Sequence, residues 1–130
     1  MYPLANMLVS LKNAGNAKKE KIEIPYSQFK GAVAKALLEA GYITSYEKRD
    51  RKVGGAVLVI AIKYTQTGKA RVSDVKCISK PSCRIYKGAK ELGPVRQGYG
   101  HRFLSTPKGI LSHVEAIAQH VGGEVLFEIW

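Results

Sequence analysis

The sequence predicts an α+β protein in two small lobes: an N-terminal helix–strand–helix–strand–strand lobe, and a C-terminal, mainly β lobe with one short helix. Three observations carry this prediction. Apolar residues recur at helical spacing in two early segments. Short alternating runs bounded by turn residues fill most of the rest. A polar break at Thr65-Gln66-Thr67-Gly68 separates the two patterns, so the lobes are drawn at residues 1–66 and 67–130. A chain of 130 residues, 45% of them hydrophobic, buries a core without staples.

Leu4, Met7, Leu8 and Leu11 give the first helix one apolar stripe, with Pro3 suited to its first turn and Gly15 to its end. Lys21-Ile22-Glu23-Ile24 alternates as a short strand before Pro25. Ser27 reads as the N-cap of a second helix whose Phe29, Val33, Ala36, Leu37 and Ala40 share a face, and Gly41 closes it. Strands are expected near 43–48 and 56–64, joined by a charged turn holding Gly54-Gly55.

The second lobe is expected to hold strands at 72–79 and 84–87, with Lys80-Pro81, Gly93-Pro94 and Gly98-Tyr99-Gly100 as punctuation. Phe103-Leu104-Ser105 reads as a strand entering a turn at 107–109. Ser112-His113-Val114-Glu115 is a capping box opening a helix that ends before Gly122-Gly123, and 124–130 is the last strand.

Charge is the departure from an ordinary composition: 21 Lys and Arg against 10 Asp and Glu, a net of +11. Such a balance attracts polyanions. It is also blocked. Residues 69–108 carry ten Lys and Arg against Asp74 and Glu91. Residues 12–35 carry six lysines against two glutamates, whereas 109–130 carry three acids and no base. Blocked charge fits a docking face better than a uniformly solvated surface. Met1-Tyr2-Pro3-Leu4 lacks the basic and apolar regions of a signal peptide, and the longest apolar run, 56–62, is far below the roughly 20 residues that span a bilayer. The chain is therefore expected to be soluble and intracellular, with Cys77 and Cys83 as reduced thiols.

No catalytic set is complete. Ser105-Thr106-Pro107-Lys108 and Ser27-Gln28-Phe29-Lys30 both match S-x-x-K, but the S-D-N and K-T-G partners of that chemistry are missing. Gly88 to Gly93 has phosphate-loop spacing, yet Pro94-Val95 follows where Lys-Ser/Thr is required. His101, His113, His120, Cys77 and Cys83 have no zinc-ligand spacing. His113 reads as a solvated first-turn residue, and His120 as a helix C-terminal residue favoured by the dipole. The reading is of a non-enzyme with no cofactor and no metal.

Three stretches suit RNA. Lys12-Asn13 near the end of the first helix, and Ser27 with Lys30 at the start of the second, pair polar groups with cations able to meet phosphate; a solvated cap with a surface lysine is the alternative. In Ser79-Lys80-Pro81-Ser82-Cys83-Arg84-Ile85-Tyr86-Lys87, Arg84 is able to fork onto phosphate and Tyr86 to stack on a base or bond a ribose; a basic edge strand with Tyr86 on the core is the alternative. The turn Ser105-Thr106-Pro107-Lys108-Gly109 offers hydroxyls, a cation and close backbone approach to 2′-OH groups and base edges, against a plain strand-to-helix turn.

Taken in order along the whole chain, these pieces resemble the small-subunit ribosomal protein eight family of bacterial and organellar type. The matching pieces are Leu4-Ala5-Asn6-Met7-Leu8, Lys12-Asn13-Ala14, Ser27 with Lys30, and Glu39-Ala40-Gly41-Tyr42-Ile43. They continue with Ile78-Ser79-Lys80-Pro81, Arg84-Ile85-Tyr86, Gly98-Tyr99-Gly100, Leu104-Ser105-Thr106, Lys108-Gly109-Ile110-Leu111 and Gly122-Gly123-Glu124-Val125.

The resemblance implies direct, early binding to the central domain of small-subunit rRNA, neighbours among small-subunit proteins, and repression of a ribosomal-protein mRNA in bacterial relatives. It maps RNA contacts onto Lys12, Asn13, Ser27, Lys30, Lys80, Arg84, Tyr86, Ser105, Thr106, Gly123 and Glu124, the last by hydrogen bonding or by holding the loop. The sequence departs from the family at Pro107, where a third hydroxyl residue is usual, at Ser82 for Gly, at Ile117 for Arg, and at His101-Arg102, where Arg102 relocates a cation. The expected setting is a bacterial cytoplasmic ribosome, with a mitochondrial or plastid ribosome as the alternative. A free-standing RNA-binding regulator and a serine hydrolase built on Ser105 and Lys108 are the competing functions.

Overall fold

A computed structural model describes residues 3–79, 83–88, 90 and 100–130, and divides the chain into two compact units, Pro3–Ser73 and Asp74–Trp130. Helices and antiparallel sheets occur in both, so the fold is α+β.

The first unit runs α1 (Pro3–Asn16), β1 (Lys21–Pro25), α2 (Gln28–Glu39), β2 (Ile43–Asp50) and β3 (Ala56–Ile62). Its sheet order is β1-β3-β2, which makes β3 the centre and explains its unbroken apolar run: Val57 to Ile60 are buried on both faces. Leu4, Met7, Leu8 and Leu11 of α1 and Val33, Ala34 and Leu37 of α2 supply the helical side of the core. Phe29, expected on that face, is 39% exposed. It sits in the first turn of α2, before the buried phase begins at Val33.

The three α-helices among the described residues end alike. At α2, Gly41 (φ +85) donates to Leu38 O and Tyr42 to Leu37 O, a Schellman motif. The same pair of bonds closes α1, with Lys18 (φ +59) in the left-handed position, and α3 (His113–Ala118), with His120 (φ +56) there. Gly15 is therefore not the terminator expected. It lies inside α1, where an added Cβ would stand 2.6 Å from the Ala70 Cβ, so contact with a neighbouring segment demands the glycine.

That segment follows a tight turn. Thr65 N–H donates to Lys69 O, Tyr64 bridges to Ala70, and Arg71 N–H reaches Lys63 O, so residues 65–73 fold back onto the first unit. The Arg71 guanidinium then lies 4.2 Å from the centre of the Tyr42 ring, whose hydroxyl is pushed up in pKa by burial despite that charge.

The second unit contains β4 (Val75–Cys77), β5 (Tyr86–Lys87), β6 (His101–Thr106), β7 (Gly109–Ser112), α3 and β8 (Gly123–Ile129). Its sheet order is β4-β8-β6-β7, with β5 also on β8. The expected strand over 72–79 shortens to three residues, and 109–112 forms a strand, β7, that alternation in so short a run does not reveal. Ser112 caps α3 as expected, accepting from Glu115 N at 3.3 Å. Leu104, Val125 and Ala116 form a buried cluster, with Ile78, Leu111 and Val121 packed against it.

Candidate nucleic-acid interface

The strand pairing of the second unit sets out a row of side chains. Glu124 of β8 lies opposite Tyr86 of β5 on one side and Ser105 of β6 on the other. Directly opposed residues of antiparallel strands share a face, so these three stand side by side. Tyr86 is 67% exposed, so its ring is not a core residue. The Arg84 Nη1 donates to both carboxylate oxygens of Glu124 at 3.2 Å, and the Glu124 side chain keeps only 12% of its surface exposed while Arg84 remains half exposed. Among the described residues, nothing accepts from or donates to the half-buried Ser105 hydroxyl.

Two glycines let these strands meet. A Cβ on Gly123 would stand 2.1 Å from Ser105 O, and one on Gly122 would stand 2.4 Å from Lys87 O. Neither residue has positive φ, so close backbone approach, and not a turn conformation, requires glycine at both.

Ser79 fixes the other side of the row. Ile78 N–H donates to Leu126 O, whereas the neighbouring Val125 N–H donates to Ile85 O, so Ile78 and Ile85 bond to adjacent residues of β8. The fully buried Ser79 hydroxyl ties the two together, accepting from Ile85 N at 2.9 Å and donating to Ile85 O at 3.3 Å. The sequence marks Ser79 only by phase: it shares the inward face of 75 and 77.

The hairpin between β6 and β7 carries Lys108 at its exposed tip. The Thr106 hydroxyl donates to Gly109 O at 2.8 Å and accepts from Lys108 N at 3.1 Å, so it is spent on the turn itself. Pro107 at the second turn position, Lys108 outside the positive-φ set and Gly109 at the fourth fit a type I turn. Pro107 thus presets the turn.

Of the other expected site residues, Lys80 lies outside the described residues, and Lys12, Asn13, Ser27 and Lys30 belong to the first unit. Asn13 is exposed on α1 and lines a groove of about 470 Å³ against β1, with Ser10, Lys19, Lys21 and Glu23 around it. Lys12 is half-buried on the same helix. Ser27 caps α2, accepting from Lys30 N at 3.1 Å, and the Lys30 Nζ donates to Pro25 O at 3.3 Å.

Two expectations are corrected near α3. His113 is not solvated: it is buried, and its Nδ1 accepts from the Arg102 N–H at 3.1 Å. Burial lowers its pKa, and the nearby His101 and Arg102 push the same way against Glu128. Arg102 does not offer a relocated cation either, since its guanidinium donates to Glu128 Oε1 at 3.0 and 3.2 Å with both side chains largely covered. The cross-strand register, Arg102 opposite Glu128, makes that pairing.

Comparison with known proteins sets the chain among structural ribosomal proteins, not enzymes. It belongs to the family described as ribosomal protein S8, whose sequence model matches residues 2–130. It is 43% identical over 127 residues to small ribosomal subunit protein uS8 of Acetivibrio thermocellus, covering 98% of this chain and 96% of that one. It is 42% identical over 132 residues to the protein of the same name from Persephonella marina, with 98% and 97% covered. For that of Acidobacterium capsulatum the figures are 35% over 128 residues, 98% and 96%.

Proposed function

We propose that this chain is a structural constituent of the small ribosomal subunit that binds the central domain of small-subunit rRNA directly and helps it assemble. The observation that carries the reading is the row Tyr86–Glu124–Ser105, with Arg84 fixed beside Glu124. An exposed aromatic ring, an unclaimed hydroxyl and a half-exposed guanidinium on one rigid sheet suit RNA, whose unpaired bases stack and whose 2′-hydroxyls hydrogen-bond. Lys108 and the backbone of Thr106 at the hairpin, Gly123, and Lys80 extend the contact. In the first unit, Lys12, Asn13, Ser27 and Lys30 supply further cations and polar groups.

The net charge of +11 supports the same partner, since phosphate contacts supply the sequence-independent share of affinity. The bacterial relatives support a ribosome in bacterial cytoplasm, with other small-subunit proteins as neighbours. The same surface serves a ribosomal-protein mRNA that presents the same RNA shape. Crosslinking of purified small subunits tests the reading: peptides spanning 84–87 and 105–108 should carry central-domain nucleotides. Co-sedimentation without any RNA adduct on these peptides would overturn it.

A further inference from the structure

In the order β1-β3-β2, both β1 and β2 are edge strands. β2 is guarded: its register shifts between Ile43 and Ser45, and its last four residues are all charged. β1 is open over a short stretch. Glu20 O accepts from Ile62 N–H and Tyr26 N–H donates to Ala56 O, so by antiparallel alternation Ile22 and Ile24 face β3. Lys21 and Glu23 therefore turn their N–H and C=O groups away from the sheet, and among the described residues nothing bonds to them. Pro25 ends this stretch, having no N–H and giving its carbonyl to the Lys30 Nζ.

The groove of about 470 Å³ runs along that edge, lined by every residue from Lys21 to Ile24. A sheet face presents alternate residues, so four in succession line a groove only from the main-chain side of the strand. Its opposite wall is α1, where Ser10, Ala14 and Ala17 are short enough to leave room for another backbone. We propose that β1 takes a fourth strand here: an extended, acidic segment of a neighbouring small-subunit protein, laid between β1 and α1. At about 3.3 Å per residue the open edge holds roughly four residues of extended chain. Main-chain bonds to Lys21 and Glu23 supply affinity, as in strand addition generally.

The charges at the groove select the occupant. Lys19 and Lys21 are exposed on its lining and form no ion pair among the described residues, whereas the Glu23 carboxylate is held by the Arg51 guanidinium. The unpaired charge is thus positive and suits a peptide carboxylate. RNA is also anionic, but its backbone offers chiefly acceptors and no strand-like alternation of donors and acceptors to complete the edge. RNA binding by the second unit does not depend on this edge, so either reading is able to fail alone.

The test follows amide hydrogen exchange in the free protein and in purified small subunits, with a carbodiimide as the crosslinking probe. Ile22 and Ile24, already bonded to β3, should exchange slowly in both states. Lys21 and Glu23 should exchange fast in the free protein and at least about tenfold more slowly in the subunit. The carbodiimide should join Lys19 or Lys21 to an Asp or Glu of another small-subunit protein. Glu23→Pro removes an outward N–H that β3 does not use, a position where an edge strand tolerates proline. It should abolish the crosslink in assembled subunits, while Glu23→Gln, which also loses the Arg51 pair, should keep it. Unchanged exchange at Lys21 and Glu23 on assembly would overturn the proposal. So would protection without a carboxylate crosslink, RNA adducts on these lysines in its place, or equal crosslinking in the two variants.

Discussion

The Ser79 hydroxyl bonds both backbone groups of Ile85, six residues on, and is sealed from solvent while doing so. One small polar side chain therefore holds Ile85, and with it the flanking Arg84 and Tyr86, beside β8.

Ser79→Ala leaves the Ile85 N–H without its acceptor in a buried site. A loss of about 1 to 3 kcal/mol is expected in urea unfolding, the range for an orphaned buried polar group. RNA affinity should fall too, because Arg84 and Tyr86 flank the freed anchor.

Gly123→Ala drives a methyl group against the Ser105 carbonyl oxygen. Backbone cannot swing aside as a flexible side chain does, so β6 and β8 must part. The expected cost is about 1 to 3 kcal/mol in thermal unfolding, with weaker RNA binding through a displaced Ser105. Retained stability would show that the strands separate freely at this end.

Acid should weaken the second unit through His113. An unfolded imidazole titrates near pH 6.5, and the folded one lies lower. The unfolded chain therefore takes up the proton first, so the stability from this group is complete above pH 6.5 and is lost as pH falls through the folded value. The bond from Arg102 N–H to Nδ1 breaks in the same step, since a protonated ring has no acceptor. His113→Asn should flatten that part of the pH profile; a profile identical to wild type would assign it to other groups.

His120→Gly should raise stability by up to about 1 kcal/mol, because φ +56 costs an L side chain more than it costs glycine. Chemical denaturation of the two forms measures it directly.

Lys108→Ala and Ser105→Ala should separate charge from shape. The lysine variant is expected to flatten the log–log salt dependence of RNA binding by roughly 0.7 to 0.9, one phosphate contact. The serine variant should weaken binding with the slope intact. A reversal of these two patterns would exchange their roles.

Much of this protein is legible in its sequence, and what is not has a common cause. The caps at Ser27, Gly41 and Ser112 are readable because a helix end is a local problem solved by nearby residues. Gly15 and His113 mislead because their partners, Ala70 and the Arg102 backbone, are remote in the chain. The same holds for Arg102, whose claim on Glu128 depends on register. At the candidate site, residue types pointed to Arg84, Tyr86 and Ser105, but only strand pairing sets them around Glu124. Ser79 acts through a hydroxyl bonded to a remote backbone and Gly122 through close backbone approach, neither of which composition reveals.

If the Thr106–Gly109 turn docks on RNA as proposed, its stiffness bears on the rate of capture. Its backbone is latched by the Thr106 hydroxyl and its φ preset by Pro107. The tip meets its target already shaped, and the loss of conformational freedom that a supple loop suffers on docking has occurred during folding. Only the Lys108 side chain is left to search. A third hydroxyl here would add one contact to a softer loop; proline gives fewer contacts to a stiffer one, and shifts the contribution of this turn from hydrogen-bond count to readiness.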